Sequence, residues 1–211
     1  MHVLGEGQQA PWTGNAETMG FFVSQMGIND LGQFAFGNDT QGGPDTSDDY
    51  VLRFGGKDYD IIAQEGQPIA ALPGSNYGAS QDGMHILNNG TVAFWSTTSA
   101  SGQTLFLGAN VVARVGVDAP TNQTGGGTET YQSFTGGSYA HSSDGSDWMV
   151  RADLNGDTAV DIVMVVNGAV VLQEGTIIPG SGFTSPIATG FTNSFALMMS
   201  SGDWFVRGSN A

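Results

Sequence analysis

The stretch Asp147–Gly180, DWMVRADLNGDTAVDIVMVVNGAVVLQEGTIIPG, contains three short strand patterns and the turns between them. Residues 148–152 alternate large and small side chains, whereas 161–166 and 169–172 are β-branched and apolar, and both patterns are typical of β-strands. Between the last two strands, Asn167-Gly168 supplies the two positive-φ residues of a type I′ hairpin. The stretch therefore predicts a three-stranded antiparallel meander.

The meander ends in a short phrase, which consists of two apolar residues, then Gln-Glu-Gly, then a Pro-Gly turn. This phrase recurs along the chain. Clear or weakened copies end at Gly7, Gly66, Gly116 and Gly175. These glycines are about 50 to 60 residues apart, a period typical of propeller blades. A second recurring phrase precedes a strand in each copy, at residues 28–36, 87–94, 143–150 and 200–207. The sequence therefore predicts a four-stranded meander for each copy.

Four copies predict an all-β fold, a small four-bladed β-propeller in one domain over residues 1–211. The repeats are expected at residues 15–74, 75–125, 126–182, and 183–211 together with 1–14. A β-sandwich of similar strand number is the alternative fold.

The last copy is shorter than the others, and the N-terminal MHVLGEG resembles its missing outer strand. The predicted assembly strand therefore consists of His2, Val3, Leu4, Gly5 and Glu6. This strand can complete the last blade within one chain, or in a neighbour, since an unpaired strand edge binds another strand. A three-stranded last blade and a trimmed natural chain are the alternatives. Exchange between chains would produce a homo-oligomer or filament.

One copy of the second phrase, Asn29–Phe36, follows an N-x-x-G-x-x-A-F pattern, and Asn88–Phe94 follows it with one residue fewer before Gly90. With the Gln-Glu-Gly phrase about thirty residues on, the chain resembles tandem N-x-x-G-x-x-A-F repeat proteins of bacteria. Residues Trp148 and Trp204 replace the Ala-Phe pair in the third and fourth copies. The resemblance implies export, location at the cell surface and a propeller fold, and it implies no activity.

The chain has 20 acidic and five basic residues, a formal charge of −15 and no cysteine. This charge opposes binding to nucleic acids and to anionic membranes, and it favours cations. Without cysteine there are no disulfides or thiolate sites. No run of 18 apolar residues predicts a membrane span. The richness in Gly, Ser, Thr and Asn and the near absence of Lys favour an extracellular protein whose signal has been removed or lies outside this chain.

The loop DLNGDTAVD places oxygen ligands at Asp153, Asn155, Asp157 and Asp161. Carboxylate, amide and backbone oxygens around a glycine-bearing turn suit Ca²⁺, which takes six to eight oxygen ligands. The loop resembles the calcium loops of FG-GAP and VCBS propeller repeats, with Thr158 in place of a preferred glycine. A solvated turn rich in Asp and Asn is the alternative interpretation.

Other acidic residues are less regularly spaced. The corresponding loop of the first copy contains Asp39, Asp45, Asp48 and Asp49, which indicates either a second cation site or a mobile acidic loop. Three glutamates, Glu6, Glu65 and Glu174, occupy equivalent places in the repeats. Repetition favours a scaffolding role for them, such as capping turns, over a catalytic one.

The tryptophans divide into two pairs. The repeat-equivalent Trp148 and Trp204 are expected in the core between blades, while Trp12 and Trp95 are the candidates for stacking on a sugar. For catalysis, His141-Ser142-Ser143-Asp144 contains suitable residue types, but neighbours in an extended chain point to opposite faces. The sequence therefore predicts a non-catalytic structural or adhesive surface protein that self-assembles, with a calcium-dependent carbohydrate-binding module as the alternative.

Overall fold

The computed structural model describes residues 5–14, 16–135, 138–178, 180–188 and 196–208, with the backbone alone for 21–25. The chain divides into two compact units, residues 1–112 and 113–211. Nearly all regular structure in the described part is antiparallel β-sheet, together with one 3₁₀ turn at Thr124–Gly126. The all-β prediction is confirmed, and the sheets are open ones of two to five strands.

The first unit contains two four-stranded meanders. The first sheet has the order β1 (Thr18–Ile28), β2 (Phe34–Gln41), β3 (Asp49–Phe54) and β4 (Tyr59–Gln64). The second sheet has the order β5 (Tyr77–Ile86), β6 (Val92–Thr98), β7 (Gly102–Leu107) and β8 (Asn110–Arg114), whose last two residues belong to the second unit. Both sheets contribute to one apolar core that includes Val51, Ala63, Phe94 and Phe106.

The second unit contains the stretch Asp147–Gly180, for which the sequence predicts a three-stranded meander. The third sheet has β11 (Trp148–Leu154), β12 (Ile162–Val166) and β13 (Ala169–Gln173) in order, which confirms the predicted meander. Two short strands, β9 (Tyr131–Phe134) and β10 (Ala140–His141), pair with different parts of β11. The fourth sheet, among the described residues, pairs only β14 (Ala196–Met198) with β15 (Trp204–Val206).

Positive-φ residues form the turns that the sequence indicates. Asn167 and Gly168 have φ of +50° and +79°, as a type I′ hairpin requires. The four glycines of the closing phrase share one conformation, with φ between +71° and +75°. Each glycine donates its backbone N–H to a carbonyl oxygen further along the chain: Gly7 to Met19, Gly66 to Tyr77, Gly116 to Tyr131 and Gly175 to Ile187. The closing turn therefore has the same backbone geometry in all four copies.

The N-terminal residues only partly fall within the described ranges. His2, Val3 and Leu4 lie outside them, and Gly5 and Glu6 form a turn rather than a strand. Just beyond, Gln8 and Ala10 form backbone hydrogen bonds with Met19 and Glu17 at the start of β1. The described part of this segment thus pairs with the first sheet. Within the described ranges, no helix has the length and apolar character that crossing a membrane requires.

The two repeat-equivalent tryptophans differ from expectation. Trp148 is half-buried, but Trp204 is 40% exposed, so its predicted place in a core is wrong. The reason is local, since β15 consists of three residues and pairs with one equally short strand among those described.

Candidate functional site

Four acidic residues meet at one end of the first sheet. Asp39 faces Asp49 across the β2–β3 ladder, Asp48 precedes β3, and Glu65 follows β4. Carboxylate oxygens of Asp48, Asp49 and Glu65 all lie within 4.8 Å of one another, and no other three acids, histidines or cysteines in the described ranges come so close. We call Asp39, Asp48, Asp49 and Glu65 the first acidic cluster.

Burial and mutual repulsion dominate the electrostatics of this cluster. Burial raises the pKa of Asp49 to about 7, with further contributions from the charges of Asp39, Glu65 and Asp48. Burial also raises the pKa of Glu65, and a hydrogen bond to Asp48 adds to this effect. The Glu65 Oε2 atom is buried and has no hydrogen-bond partner. The cluster therefore concentrates negative charge in a place where water cannot fully solvate it.

A second group of acids lies in the third sheet. Asp153 lies in β11, Asp161 precedes β12, and Glu174 follows β13. Glu174 is only 1% exposed, and its Oε2 atom has no hydrogen-bond partner, nor has the buried Oδ1 of Asp153. Burial raises the pKa of Glu174 and of Asp153, and the charge of Asp161 raises both further. We call Asp153, Asp161 and Glu174 the second acidic cluster.

The two clusters occupy equivalent positions, because the same three hydrogen bonds surround each. In the first sheet these bonds join Thr40 N to Asp48 O (2.9 Å), Gln64 Nε2 to Ser47 O (2.8 Å) and Glu65 N to Asp49 O (2.8 Å). In the third sheet they join Leu154 N to Asp161 O (2.9 Å), Gln173 Nε2 to Val160 O (2.7 Å) and Glu174 N to Ile162 O (2.9 Å). Asp48 therefore corresponds to Asp161, Glu65 to Glu174 and Asp39 to Asp153, whereas the apolar Ile162 occupies the position of Asp49.

The second sheet lacks these acids. Thr97 faces Gln103 across the β6–β7 ladder where Asp39 faces Asp49 in the first sheet. A short turn joins β6 to β7, and Val115 precedes Gly116 where a glutamate precedes Gly66 and Gly175. The meander therefore forms without acidic residues at these positions.

The structure does not bring all four predicted calcium ligands together. Asp153 and Asp161 interact with each other, as the raised pKa of Asp153 reflects. Asn155 Oδ1 instead accepts a hydrogen bond from Thr130 N (2.9 Å), and Asp157 Oδ1 accepts one from Ala159 N (3.0 Å). These two side chains hold the loop backbone. The sequence interpretation missed Glu174 as a partner of the aspartates, although its repetition as Glu65 was visible.

A polar cleft of about 270 Å³ adjoins the first acidic cluster within the first unit. Its lining residues include Asp39, Asp49, Ser80, Gln81, Asp82 and Trp95. The Gln81 Oε1 and Trp95 Nε1 atoms are buried and have no hydrogen-bond partner. Since buried polar groups are nearly always hydrogen-bonded, these atoms mark a place where a polar ligand or water completes the structure.

The other candidate aromatic residue, Trp12, has a different environment. Its ring contacts Tyr59, Phe36 and Tyr50 at centroid distances of 5.3, 5.9 and 6.4 Å, all edge-on. Trp12 also lines a separate cleft of about 320 Å³ with Lys57. Edge-on aromatic contacts of this kind stabilise a core. Trp95, not Trp12, is therefore the candidate that lies beside the acidic residues.

No family model, curated protein or solved structure matches the chain.

Proposed function

We propose that this chain is a non-catalytic, exported adhesive protein that binds a carbohydrate or another polyol in the Trp95 cleft. The observation that carries the proposal is the combination of Trp95, the unpartnered Gln81 Oε1 and the carboxylates of Asp39 and Asp49 in one cleft. Sugars present hydroxyl groups to such acceptors and donors and apolar ring faces to aromatic side chains. We further propose that the repeats are arranged as blades of a propeller.

A non-catalytic role is supported by the repetition of the acidic residues. The first and second acidic clusters occupy equivalent positions in two sheets, whereas a catalytic pair usually breaks a repeat. The Ser142 hydroxyl, which the sequence places near His141, donates its hydrogen bond to Asp144 Oδ1 (2.8 Å). Export is supported by the composition alone, which is rich in Gly, Ser, Thr and Asn and has a single lysine.

A glycan array with the full chain tests this proposal, followed by calorimetric titration of any glycan retained. We expect Trp95→Ala to weaken binding by at least about tenfold, because a buried aromatic contact contributes more than about 1 kcal/mol. The matched control is Trp204→Ala, which removes an exposed tryptophan of the second unit and should leave binding unchanged.

A second variant, Gln81→Ala, removes the unpartnered acceptor and should also weaken binding. Circular dichroism and thermal unfolding verify that each variant is folded. The proposal is overturned if no glycan is retained, or if folded Trp95→Ala and Gln81→Ala proteins bind like the wild type.

Self-assembly is the second candidate function, and one observation favours it. The fourth sheet exposes Leu197 and Phe205 at 40% and 59%, and these two residues are paired across the β14–β15 ladder, so they lie on one face. Neighbouring exposed apolar side chains on a short, two-stranded sheet are typical of a surface that another protein covers. Light scattering after size exclusion should then show oligomers that disappear on deletion of residues 1–7, and in Phe205→Ser. A monomeric wild-type chain at all concentrations would contradict this candidate.

A further inference from the structure

Among the described residues, three buried carboxylate oxygens have no hydrogen-bond partner: Glu65 Oε2, Asp153 Oδ1 and Glu174 Oε2. All three belong to the two acidic clusters. Glu174 is the most deeply buried of the three residues, since it is only 1% exposed, and the charges of Asp161 and Asp153 act on its carboxylate. A carboxylate that is buried among other carboxylates is costly unless a proton or a cation neutralises it.

Basic side chains neutralise the clusters only in part. Arg151 interacts with Asp153 and Glu174, so the second cluster has one positive charge against three acids. The first cluster has no such residue in the ladder, since glycine (Gly37) occupies the position that corresponds to Arg151. Elsewhere in the first unit, Arg53 forms its ion pair with Asp60 (2.7 Å). Both clusters therefore retain excess negative charge.

We propose that each acidic cluster binds one divalent cation with the ligand preference of Ca²⁺, so that the chain holds two cations in equivalent sites. The donors are carboxylate oxygens only, without histidine or cysteine, and hard oxygen donors select Ca²⁺ or Mg²⁺ over transition metals. The donors lie at strand ends and after irregular loops, an arrangement that suits the irregular geometry of Ca²⁺ better than the octahedron of Mg²⁺.

The ligand set differs from that of the predicted loop. The site uses the glutamate of the Gln-Glu-Gly phrase, which follows the outermost strand, together with aspartates at the ends of the two inner strands. A cation there connects three strands of one sheet, whereas a loop site would connect none beyond its own hairpin. Asn155 and Asp157 remain hydrogen-bonded to backbone N–H groups and need not reach the cation.

The inference goes beyond the proposed function and fails separately from it. The first cation site and the glycan cleft share Asp39 and Asp49, but Glu65 and Glu174 belong only to the cation sites, and Trp95 and Gln81 only to the cleft. Folded Trp95→Ala protein should keep both cations even if it loses every glycan.

Isothermal titration of the full, chelator-treated chain with CaCl₂ at neutral pH tests the inference. We expect two cations per chain for the wild type, one for Glu65→Gln, one for Glu174→Gln and none for the double variant. Asp58→Asn is the matched control, because Asp58 is an exposed acid outside both clusters, and it should keep two cations. Asp157→Asn distinguishes the loop site, and it should keep two as well.

Thermal unfolding provides a second readout on the same proteins. Saturating Ca²⁺ should raise the Tm of the wild type by roughly 5–15 °C, and the shift should vanish in the double variant. The inference is overturned if the wild type binds no Ca²⁺, or if the folded double variant still binds two. It is also overturned if Asp157→Asn loses a cation while Glu174→Gln keeps it, since that result assigns the site to the loop.

Discussion

The first and second sheets of the first unit have the same strand order but differ in the turn between their second and third strands. The first sheet has a long acidic loop there, and carboxylates of Asp48, Asp49 and Glu65 crowd within 4.8 Å. The second has a short turn, where the hydroxyls of Thr98, Ser101 and Thr104 hydrogen-bond to one another at 3.1 to 3.4 Å. Hydroxyls donate and accept, so they satisfy one another, whereas ionised carboxylates only accept.

The comparison shows that the meander itself does not require the acids. The third sheet repeats three of the four acids of the first, with Ile162 in place of Asp49, whereas the second sheet has none of them. Such a pattern is expected if the acids bind something that the second repeat does without. Four measurements can break or sharpen this comparison.

Removal of divalent cations should have the largest effect. We expect EGTA to lower the free energy of unfolding of calcium-loaded protein by about 4 kcal/mol or more, because ligand at a thousandfold its Kd stabilises by that amount per site. Chemical denaturation with and without EGTA measures the difference. An unchanged denaturation midpoint would show that no bound cation stabilises the acidic sheets, which would then not differ from the second sheet in this respect.

Replacement of the glycine that ends a closing phrase should have the next largest effect on stability. A Cβ atom on Gly175 would lie 2.8 Å from Ala159 O, and one on Gly66 would lie 2.7 Å from Thr46 O. At Gly116 of the second repeat nothing lies within 4 Å, although φ is also positive. Gly175→Ala should therefore cost about 3 kcal/mol and Gly116→Ala about 1 kcal/mol.

Equilibrium unfolding in urea measures both variants. Equal losses of stability would show that the long acidic loops, which contain Thr46 and Ala159, do not pack against the closing glycine.

The pH dependence of the cation-free protein should be smaller but distinctive. The pKa of Asp49 is raised from 3.8 to about 7 by burial and by Asp39, Glu65 and Asp48. The folded state therefore holds this proton more tightly than the unfolded chain, and stability should fall as the pH rises from about 4 to 7. We expect a loss of at least about 1 kcal/mol over this range, and a flatter profile for Asp49→Asn.

Thermal unfolding in EGTA at several pH values provides this profile. Identical slopes for the wild type and Asp49→Asn would exclude Asp49 as the titrating group.

Removal of one of the clustered hydroxyls in the second sheet should have the smallest effect on stability. Thr104 is fully buried, and Thr104→Val removes its bonds to Thr98 and Ser101 while preserving its shape. We expect a loss of about 1 kcal/mol, since the partners remain bonded to each other. The calcium-dependent Tm shift should not change, and a change would mean that the second repeat also contributes to cation binding.

The sequence predicted local structure well where a short segment decides it. Asn167-Gly168 indicates a type I′ turn through its backbone preferences alone, and the β-branched run of β12 has no competing helical pattern. The split of the first strand into β9 and β10 was not predictable, because it depends on pairing with distant parts of β11.

The candidate site was predicted in part for a similar reason. Asp153 and Asp161 were identified from their spacing within one loop. Glu174 joins them through strand pairing, which positions its backbone N–H on Ile162 O, and loop spacing cannot show this. Trp95, Asp39 and Asp49 line one cleft because two sheets pack together, and this too is a property of tertiary structure.

The most direct test of the central claim is an anomalous difference map from crystals of the full chain grown with Ca²⁺ or Tb³⁺. The account predicts two peaks per chain, one coordinated by Glu65 and one by Glu174, and none at the turn between β6 and β7. Crystals without a peak at either glutamate, or with a single peak between Asn155 and Asp157, would contradict it.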